Sequence, residues 1–323
     1  MTLSTEQSKN IQILRGLAII AVVFIHNTPI GLAQVFFRPF LNFAVGLFIF
    51  LSGMLSNSSK WNPKKRILKV LIPYVLWTLI YSTLRNISNP TYIPIAFFKN
   101  LLTGKAAAVM YYIFVYCEFT LLIPLIDRLA KSRFKYYGFL ITPIEIIVMR
   151  LIPLITGFEL NKYISIVMSI SCLGWFTYFY LGYLLGNNLT TINISSKKVL
   201  LLWIISILLQ FAEGFYYYSL GDTNCGTQLK LTSIISGTLF ALMAYNYVIQ
   251  GTTKNANILK LLGDNSFGIY FSHLAVMAVI DLLPAYANYV PYPITAIVAI
   301  TITTICVLLG KRILGKYSKY LAL

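Results

Sequence analysis

Charged residues are scarce in this chain of 323 residues, and acidic residues are the scarcest. Only 11% of the residues are charged and only nine are Asp or Glu, whereas 58% are hydrophobic. A soluble domain of this length needs many more polar side chains to cover its surface. The composition therefore excludes an ordinary soluble protein and predicts an integral membrane protein, with the lipid bilayer as its first partner.

Cysteine is scarce too, and its four copies stand singly along the chain. Three of them lie inside apolar runs and none has the spacing of a metal-ligand set, so they predict small packing residues without a metal site or a disulfide framework. They are Cys117, Cys172, Cys225 and Cys306. The first apolar run also lacks the cleavage pattern of a removable signal peptide, and we expect it to stay in the mature protein.

Basic residues are the one abundant charged class, because 26 Lys and Arg give the chain a formal charge of +17. They cluster in alternate loops between apolar runs, so nucleic acid is not an expected partner. With the N-terminus inside, most of them face the cytoplasm, among them residues 64–66, Lys254 and Lys311. Arg38 and Lys230 belong to the outer minority. Because basic loops stay on the cytoplasmic side, we expect both termini there.

Apolar stretches of membrane-crossing length recur along the whole chain. The fold class that they predict is an all-α polytopic membrane helical bundle of about ten transmembrane helices, formed as a single domain over 1–323. The predicted spans are 11–30, 40–56, 67–85, 107–127, 137–156, 164–186, 199–215, 229–250, 266–283 and 294–314. Pro143 and Pro153 interrupt the fifth span, for which we expect a kinked helix.

Two ionisable residues stand inside the first predicted span. Arg15 and His26 are eleven residues apart, which places them within about 20° of one helix face and about 16 Å apart along the axis. Arg15 then lies near the cytoplasmic boundary and His26 beyond the midplane. Arg15 alone fits equally well a side chain that extends to the interface. A histidine at this depth needs a partner or a water-filled cavity, which favours a function for His26.

The second span ends in a phenylalanine-rich stretch that carries Gly46 and Gly53 on one side of the helix. Glycines there favour close packing, and the first helix is the expected partner. In the next loop, Arg66 and Lys69 are one turn apart at a helix start. Two interpretations fit this pair equally, namely topological charge or the binding of phosphates that enter from the cytoplasm.

Glu118 lies in the middle of the fourth span, behind Tyr111 and Tyr112. An acidic group at that depth needs a polar partner. A pair with Arg15 would supply one, and so would a contact that orients His26. The sequence leaves both arrangements open.

The ninth span begins after Asp264 and Asn265 and carries a polar face. Ser266, Tyr270 and His273 follow at spacings of four and three residues, which places them on one side of a helix. His273 fits a hydrogen-bonded interior histidine as well as a catalytic one. Five other acidic residues fall near outer span ends or loops, where solvation accounts for them and no chemistry is assigned: Glu145, Glu159, Glu213, Asp222 and Asp281.

Taken together, these segments resemble the acyltransferase family 3 membrane proteins of bacteria, which O-acylate cell-surface glycans and other envelope molecules. The stretch from Arg15 to His26 matches the family's pattern of an arginine, ten residues and a histidine. Segments similar to later family motifs follow in order at 47–53, 66–73, 111–124 and 263–273. The chain departs from the family at Gln12, where an aspartate is common, and at Lys69, where the second basic residue is often arginine.

The resemblance implies a multi-pass protein of the bacterial cytoplasmic membrane whose donor is acetyl-CoA or another acyl-CoA, with no metal. The acceptor would be a hydroxyl of a surface glycan or a lipid-linked sugar on the outer side. Arg15, Arg66 and Lys69 are expected to hold the CoA phosphates. His26 is expected to act as general base or to carry the acyl group briefly. Further catalytic candidates are Glu118 and His273, and substrate-binding candidates are Tyr111, Tyr112, Ser266 and Tyr270.

Two rival functions fit the same sequence. A bundle of helices with buried charges also suits a transporter that exports an envelope molecule or an amino acid, although no inverted repeat supports this. The chain also fits the membrane module of a larger enzyme.

Overall fold

The computed structural model describes residues 3–158, 161–251 and 256–323. The structure is 79% helical and has no strand within these ranges. Glu159 and Lys254, predicted to be a solvated carboxylate and an inner-loop cation, lie outside the described residues. The α-helices are α1 Thr5–Asn27, α2 Leu32–Phe37, α3 Phe43–Met54, α4 Pro63–Arg85, α5 Ile93–Thr103, α6 Tyr111–Lys131, α7 Ile141–Ile146, α8 Ile152–Thr156, α9 Lys162–Ser169, α10 Phe176–Gly186, α11 Ser196–Ser219, α12 Leu231–Gln250, α13 Asn257–Asp264, α14 Ser266–Ile280, α15 Pro284–Tyr289 and α16 Ile294–Leu314.

Eight helical stretches in the described ranges are long and apolar enough to cross a membrane. They are Thr5–Asn27, Leu32–Met54, Pro63–Arg85, Lys135–Thr156, Tyr163–Gly186, Ser196–Ser219, Leu231–Gln250 and Ile294–Leu321. The other two predicted spans coincide with α6, which has 21 residues, and with the shorter apolar helix α14. The predicted all-α polytopic membrane fold is thus confirmed, whereas the number of crossings and the side of the termini stay predictions.

The first helix starts earlier than its apolar run predicts. The hydroxyl of Ser4 accepts a hydrogen bond from the backbone N–H of Gln7 at 3.2 Å, and the Gln7 side chain accepts one from the Ser4 N–H at 3.0 Å. This reciprocal cap satisfies N–H groups that a helix start leaves unpaired, so α1 begins at Thr5 instead of residue 11. The hydropathy pattern misses this first turn because its residues are polar.

Backbone contact with α13 fixes the orientation of α1, and with it the direction in which Arg15 extends. A Cβ atom at Gly16 would lie 1.9 Å from the carbonyl oxygen of Leu259, and one at Gly263 would lie 1.8 Å from the carbonyl oxygen of Gln12. Only glycine permits such an approach, since any side chain would collide with the facing backbone. Because α13 leads directly into α14, this contact also places the start of α14 beside α1.

The glycines of α3 pack on α10, so the prediction that they face the first helix is wrong, although α3 does contact α1 elsewhere. A Cβ atom at Gly53 would lie 2.1 Å from the carbonyl oxygen of Phe179, and one at Gly46 would lie 2.9 Å from the Tyr178 ring. On α10, Gly182 faces the carbonyl oxygen of Phe50 in the same way. The positions of Gly46 and Gly53 could not identify α10 as the partner, because Gly182 lies far along the chain.

The fifth predicted span is an interrupted helix. Its two α-helices, α7 and α8, are joined by a π-helical turn at Ile147–Leu151, and Pro153 stands in the first turn of α8. Proline lacks the N–H that would continue the regular ladder, and π-turns often accompany functional sites. Before this interruption, α7 packs on the turn Leu173–Trp175 that precedes α10.

Candidate active site

Two cavities lie side by side within the helices. The first, here called the Arg15 cavity, encloses about 240 Å³. Its lining includes Arg15, Phe48, Ser52, Val70, Tyr116 and Ser266. The second, here called the His26 cavity, encloses about 370 Å³. Its lining includes His26, Arg38, Glu145, Trp175, Asn224 and Gln228.

One layer of side chains separates the two cavities. Val22, Val45, Tyr112 and Tyr270 line both of them. The rings of Tyr112 and Tyr270 are 5.6 Å apart between centroids, and the Tyr270 hydroxyl donates a hydrogen bond to the Val109 carbonyl. The helix face that carries Arg15 and His26 therefore borders both cavities: Arg15 lines the first, His26 lines the second, and Val22 belongs to the wall between them.

The Arg15 cavity combines one cation with hydroxyl groups. The Arg15 side chain is partly buried, and no ion pair involves it in the described part of the chain. Tyr112 and Tyr116 line this cavity together with Arg15. A partly buried guanidinium without a carboxylate partner is suited to a phosphate or carboxylate of a ligand.

Arg66 and Lys69 line neither cavity. Arg66 donates a hydrogen bond from Nη1 to the Ser56 hydroxyl at 2.9 Å, and that hydroxyl donates to the carbonyl of Ser52, which lines the Arg15 cavity. Lys69 is exposed. Of the three predicted phosphate-binding residues, the structure thus places Arg15 in a cavity, Arg66 near it and Lys69 on the surface.

His26 and His273 are neighbours, with ring centroids 5.4 Å apart. His273 is fully buried, and its Nδ1 lies 2.9 Å from the Ile269 carbonyl oxygen. Because a carbonyl can only accept, this contact places the hydrogen of the neutral His273 ring on Nδ1. Nε2 is then an acceptor, and no described residue donates a hydrogen bond to it. His26 lines the cavity and His273 lies behind it, so His26 is the histidine that a ligand can reach.

Of the two remaining candidates on α6, Tyr111 lines a cavity and Glu118 does not. Tyr111 lines the His26 cavity and stacks on Trp175 at 6.1 Å between ring centroids. Glu118 lines neither cavity and forms no ion pair with Arg15; its carboxylate accepts a hydrogen bond at 2.6 Å from the backbone N–H of Cys172. Because Cys172 begins the turn that carries Trp175, the hydrogen bond to Glu118 helps to position Trp175 in the lining of the His26 cavity.

Sequence reasoning missed several residues of the His26 cavity, above all Glu145. This residue was assigned to solvent, but it is half-buried and lines the cavity together with Arg38, whose Nη2 donates to the Ile25 carbonyl at 3.2 Å. The assignment was wrong because α7 packs on the turn before α10, which no local pattern reveals. The one available signal was a carboxylate between two prolines inside an apolar run.

Three other outer charges are also less solvated than predicted. Asp222 forms an ion pair with Arg150, and the carboxylate of Glu213 accepts a hydrogen bond from the Thr232 N–H at 2.9 Å. Lys230 is fully buried and donates to the Cys225 carbonyl at 3.2 Å. Burial lowers the pKa of Lys230 to about 8. Asp281, by contrast, is exposed as expected.

The helices and the adjoining cavities are those of a multi-pass membrane protein with internal cavities among its helices. A model of the acyltransferase 3 family, described as an acyltransferase domain, matches residues 8–311. The chain belongs to this family, which confirms the resemblance of its motifs.

Similar proteins come from Staphylococcus aureus and carry the name probable poly-beta-1,6-N-acetyl-D-glucosamine export protein. Those of strains MRSA252 and MSSA476 are each 25% identical to this chain over 283 residues, a match that covers 79% of this chain and 74% of the relative. No solved structure matches the chain significantly.

Proposed function

We propose that the protein transfers an acyl group, with acetyl as the expected one, from acyl-CoA to a hydroxyl of an envelope glycan. The donor would occupy the Arg15 cavity and the acceptor the His26 cavity. The observation that carries this proposal is the shared wall of Val22, Val45, Tyr112 and Tyr270, because it brings a site for an anion next to a site with an accessible imidazole.

Donor binding would use Arg15 first. Its guanidinium can hold a phosphate of CoA through two parallel hydrogen bonds, and the hydroxyls of Tyr116 and Ser266 can add neutral ones. Phe48 and Val70 offer an apolar surface to the extended arm of the donor. Arg66 supplies a second positive charge beside this cavity, and the predicted basic cytoplasmic loops agree with entry of CoA from that side.

Transfer would take place where the donor passes the shared wall. His26 accepts the proton of the acceptor hydroxyl while the oxygen attacks the thioester carbonyl carbon. A C–O bond forms, the C–S bond breaks, and the proton held by His26 passes to the departing thiolate, so CoA leaves as the thiol. A route in which His26 carries the acyl group before the hydroxyl attacks gives the same products. His273, directly behind His26, would orient the imidazole.

The test is acetyl transfer by purified protein in liposomes, with radiolabelled acetyl-CoA and an N-acetylglucosamine oligosaccharide as acceptor. This acceptor is chosen because the relatives' printed name refers to such a polymer. We expect His26→Ala to lower transfer by about 10²–10⁴-fold, the usual contribution of a general base. Cys306→Ala, at an exposed position, is the control. Acetyl transfer that is the same in His26→Ala and the wild type would overturn the proposal.

The relatives' name favours a second candidate function, the export of a polysaccharide. In the same liposomes, an exporter would move labelled oligosaccharide across the bilayer without releasing CoA from acetyl-CoA. A membrane module of a larger enzyme would show neither reaction until its missing part is added. Transfer of label to the oligosaccharide distinguishes the proposed activity from both.

A further inference from the structure

The lining of the His26 cavity includes residues whose hydrogen-bonding atoms have no partner within the described chain. The carboxylate of Glu145 faces the cavity and forms no ion pair with another described residue. The amide oxygen of Gln228 is buried and accepts no hydrogen bond, and Nε of Arg38 is buried and donates none, within the same ranges. Buried polar atoms without partners are costly, so this cavity is suited to a ligand that both donates and accepts.

The position of Glu145 is fixed by its supports. The Thr142 hydroxyl, one turn earlier on α7, donates to the Leu173 carbonyl at 2.8 Å and accepts from the Thr177 N–H at 3.0 Å. These two bonds tie α7 to the turn that carries Trp175. Gly174 lies between Glu145 and Trp175, and a Cβ atom there would lie 3.2 Å from Oε2 of Glu145. Glycine at this position thus leaves room for the carboxylate.

The rest of the lining favours a sugar ring over a lipid chain. Ser169, Ser171, Asn224 and Thr227 add further polar side chains to the lining, with which a hydrocarbon chain could form no hydrogen bonds. The stacked rings of Tyr111 and Trp175 form one apolar wall, which can contact the C–H groups of a sugar. The lining contains one acidic side chain, Glu145, and one basic side chain, Arg38, whose formal charges sum to zero, which favours a ligand without net charge.

We propose that the His26 cavity binds a neutral saccharide, with Glu145 and Gln228 accepting hydrogen bonds from two of its hydroxyl groups. This inference rests on the proposed function and deepens it, because it assigns the acceptor's recognition to residues apart from His26. Glu145 and Gln228 are then specificity-determining residues, and they take no part in the transfer of the acyl group.

The test is direct binding of the neutral N-acetylglucosamine oligosaccharide to the detergent-solubilised full chain, measured by calorimetry in the absence of acetyl-CoA. We expect Glu145→Gln and Gln228→Leu each to weaken binding by about tenfold or more, the effect of one lost hydrogen bond to a buried group. Gly174→Ala, which keeps the carboxylate but crowds it, should weaken binding as well. Glu6→Gln, the same change at an exposed position, should leave it unchanged.

A second measurement separates this inference from the proposed function. Binding of CoA by the same variants should equal that of the wild type, which also shows that they are folded. Oligosaccharide binding that survives both Glu145→Gln and Gln228→Leu overturns the inference, even if acetyl transfer occurs. Oligosaccharide binding that depends on Glu145, without any acetyl transfer, upholds the inference and overturns the proposed function.

The charge of the ligand is tested with the de-N-acetylated oligosaccharide, which is cationic. A neutral site binds this form no better than the neutral one. If the cationic form binds more tightly and Glu145→Gln removes the difference, Glu145 selects an ammonium group, and the inference of a neutral saccharide is wrong.

Discussion

The Arg15 cavity and the His26 cavity share four wall residues but differ in what they offer a ligand. The first has one guanidinium, hydroxyl groups and apolar side chains such as Phe48. The second has a carboxylate, a guanidinium and amides around an imidazole. A long anionic donor suits the first set and a polyhydroxylated acceptor suits the second. Under the proposed function, one helix, α1, would contribute to the binding of two ligands, because the four shared residues separate the binding groups of the two cavities.

Among the changes that test the comparison of the two cavities, the largest effect is expected from thickening that wall. Val22→Phe adds a ring between the cavities while leaving the polar groups of both in place. We expect acetyl transfer to fall by about 10²-fold, because displacement of a reacting group by about 1 Å has that cost. Binding of CoA and of the oligosaccharide should each change far less.

The control for Val22→Phe is Val279→Phe, the same change at an exposed position of α14. If Val22→Phe transfers acetyl groups at the wild-type rate, the donor reaches the acceptor by a path that avoids the wall. The division into two cavities would then have no role in the reaction.

A smaller effect is expected from Arg15→Gln, which removes the cation from one cavity only. Loss of a charge-assisted hydrogen bond of about 1.5–3 kcal/mol should weaken CoA binding by about 10–10²-fold. Oligosaccharide binding should stay at the wild-type level. Both are measured by calorimetry, with Arg312→Gln at an exposed position as the control. An equal loss for both ligands would contradict the assignment of one ligand to each cavity.

The smallest effect concerns Lys230, which is buried just before α12, near the His26 cavity. Its pKa in the folded protein is about 8, below the ordinary value of 10.5, so the unfolded chain binds more protons between these values. Stability therefore rises with pH across this window, and the cost of charging the buried amine is fully present below pH 8. Lys230→Met removes this contribution.

The measurement is the thermal unfolding midpoint of wild type and Lys230→Met across that pH window. The difference should shift in favour of the wild type as the pH rises. Lys316→Met, at an exposed position, should show no such shift relative to the wild type. A difference that stays constant with pH would mean that Lys230 remains charged throughout.

Local periodicity accounts for the features that the sequence predicted well. Arg15 and His26 lie on one helix, and Ser266, Tyr270 and His273 follow at helical spacings, so a helix wheel alone brings each set to one side. The structure then places both sets around the two cavities.

Tertiary contacts account for what the sequence could not predict. Glu145 reaches the His26 cavity only because Thr142 ties α7 to the turn before α10. Gly53 packs against the Phe179 carbonyl of α10, and Gly182 of α10 packs against the Phe50 carbonyl of α3, a pairing that neither helix sequence reveals alone. The carboxylate of Glu118 accepts a hydrogen bond from the backbone N–H of Cys172, and a pattern of side chains cannot predict a backbone partner.

The most direct test of two adjoining sites is a cryo-electron microscopy structure with a non-hydrolysable thioether analogue of acetyl-CoA. The predicted result is a phosphate within hydrogen-bond distance of Arg15 and an acyl end that passes between Tyr112 and Tyr270 to reach His26. An analogue bound with its acyl end in the lipid, or remote from the His26 cavity, would contradict the account.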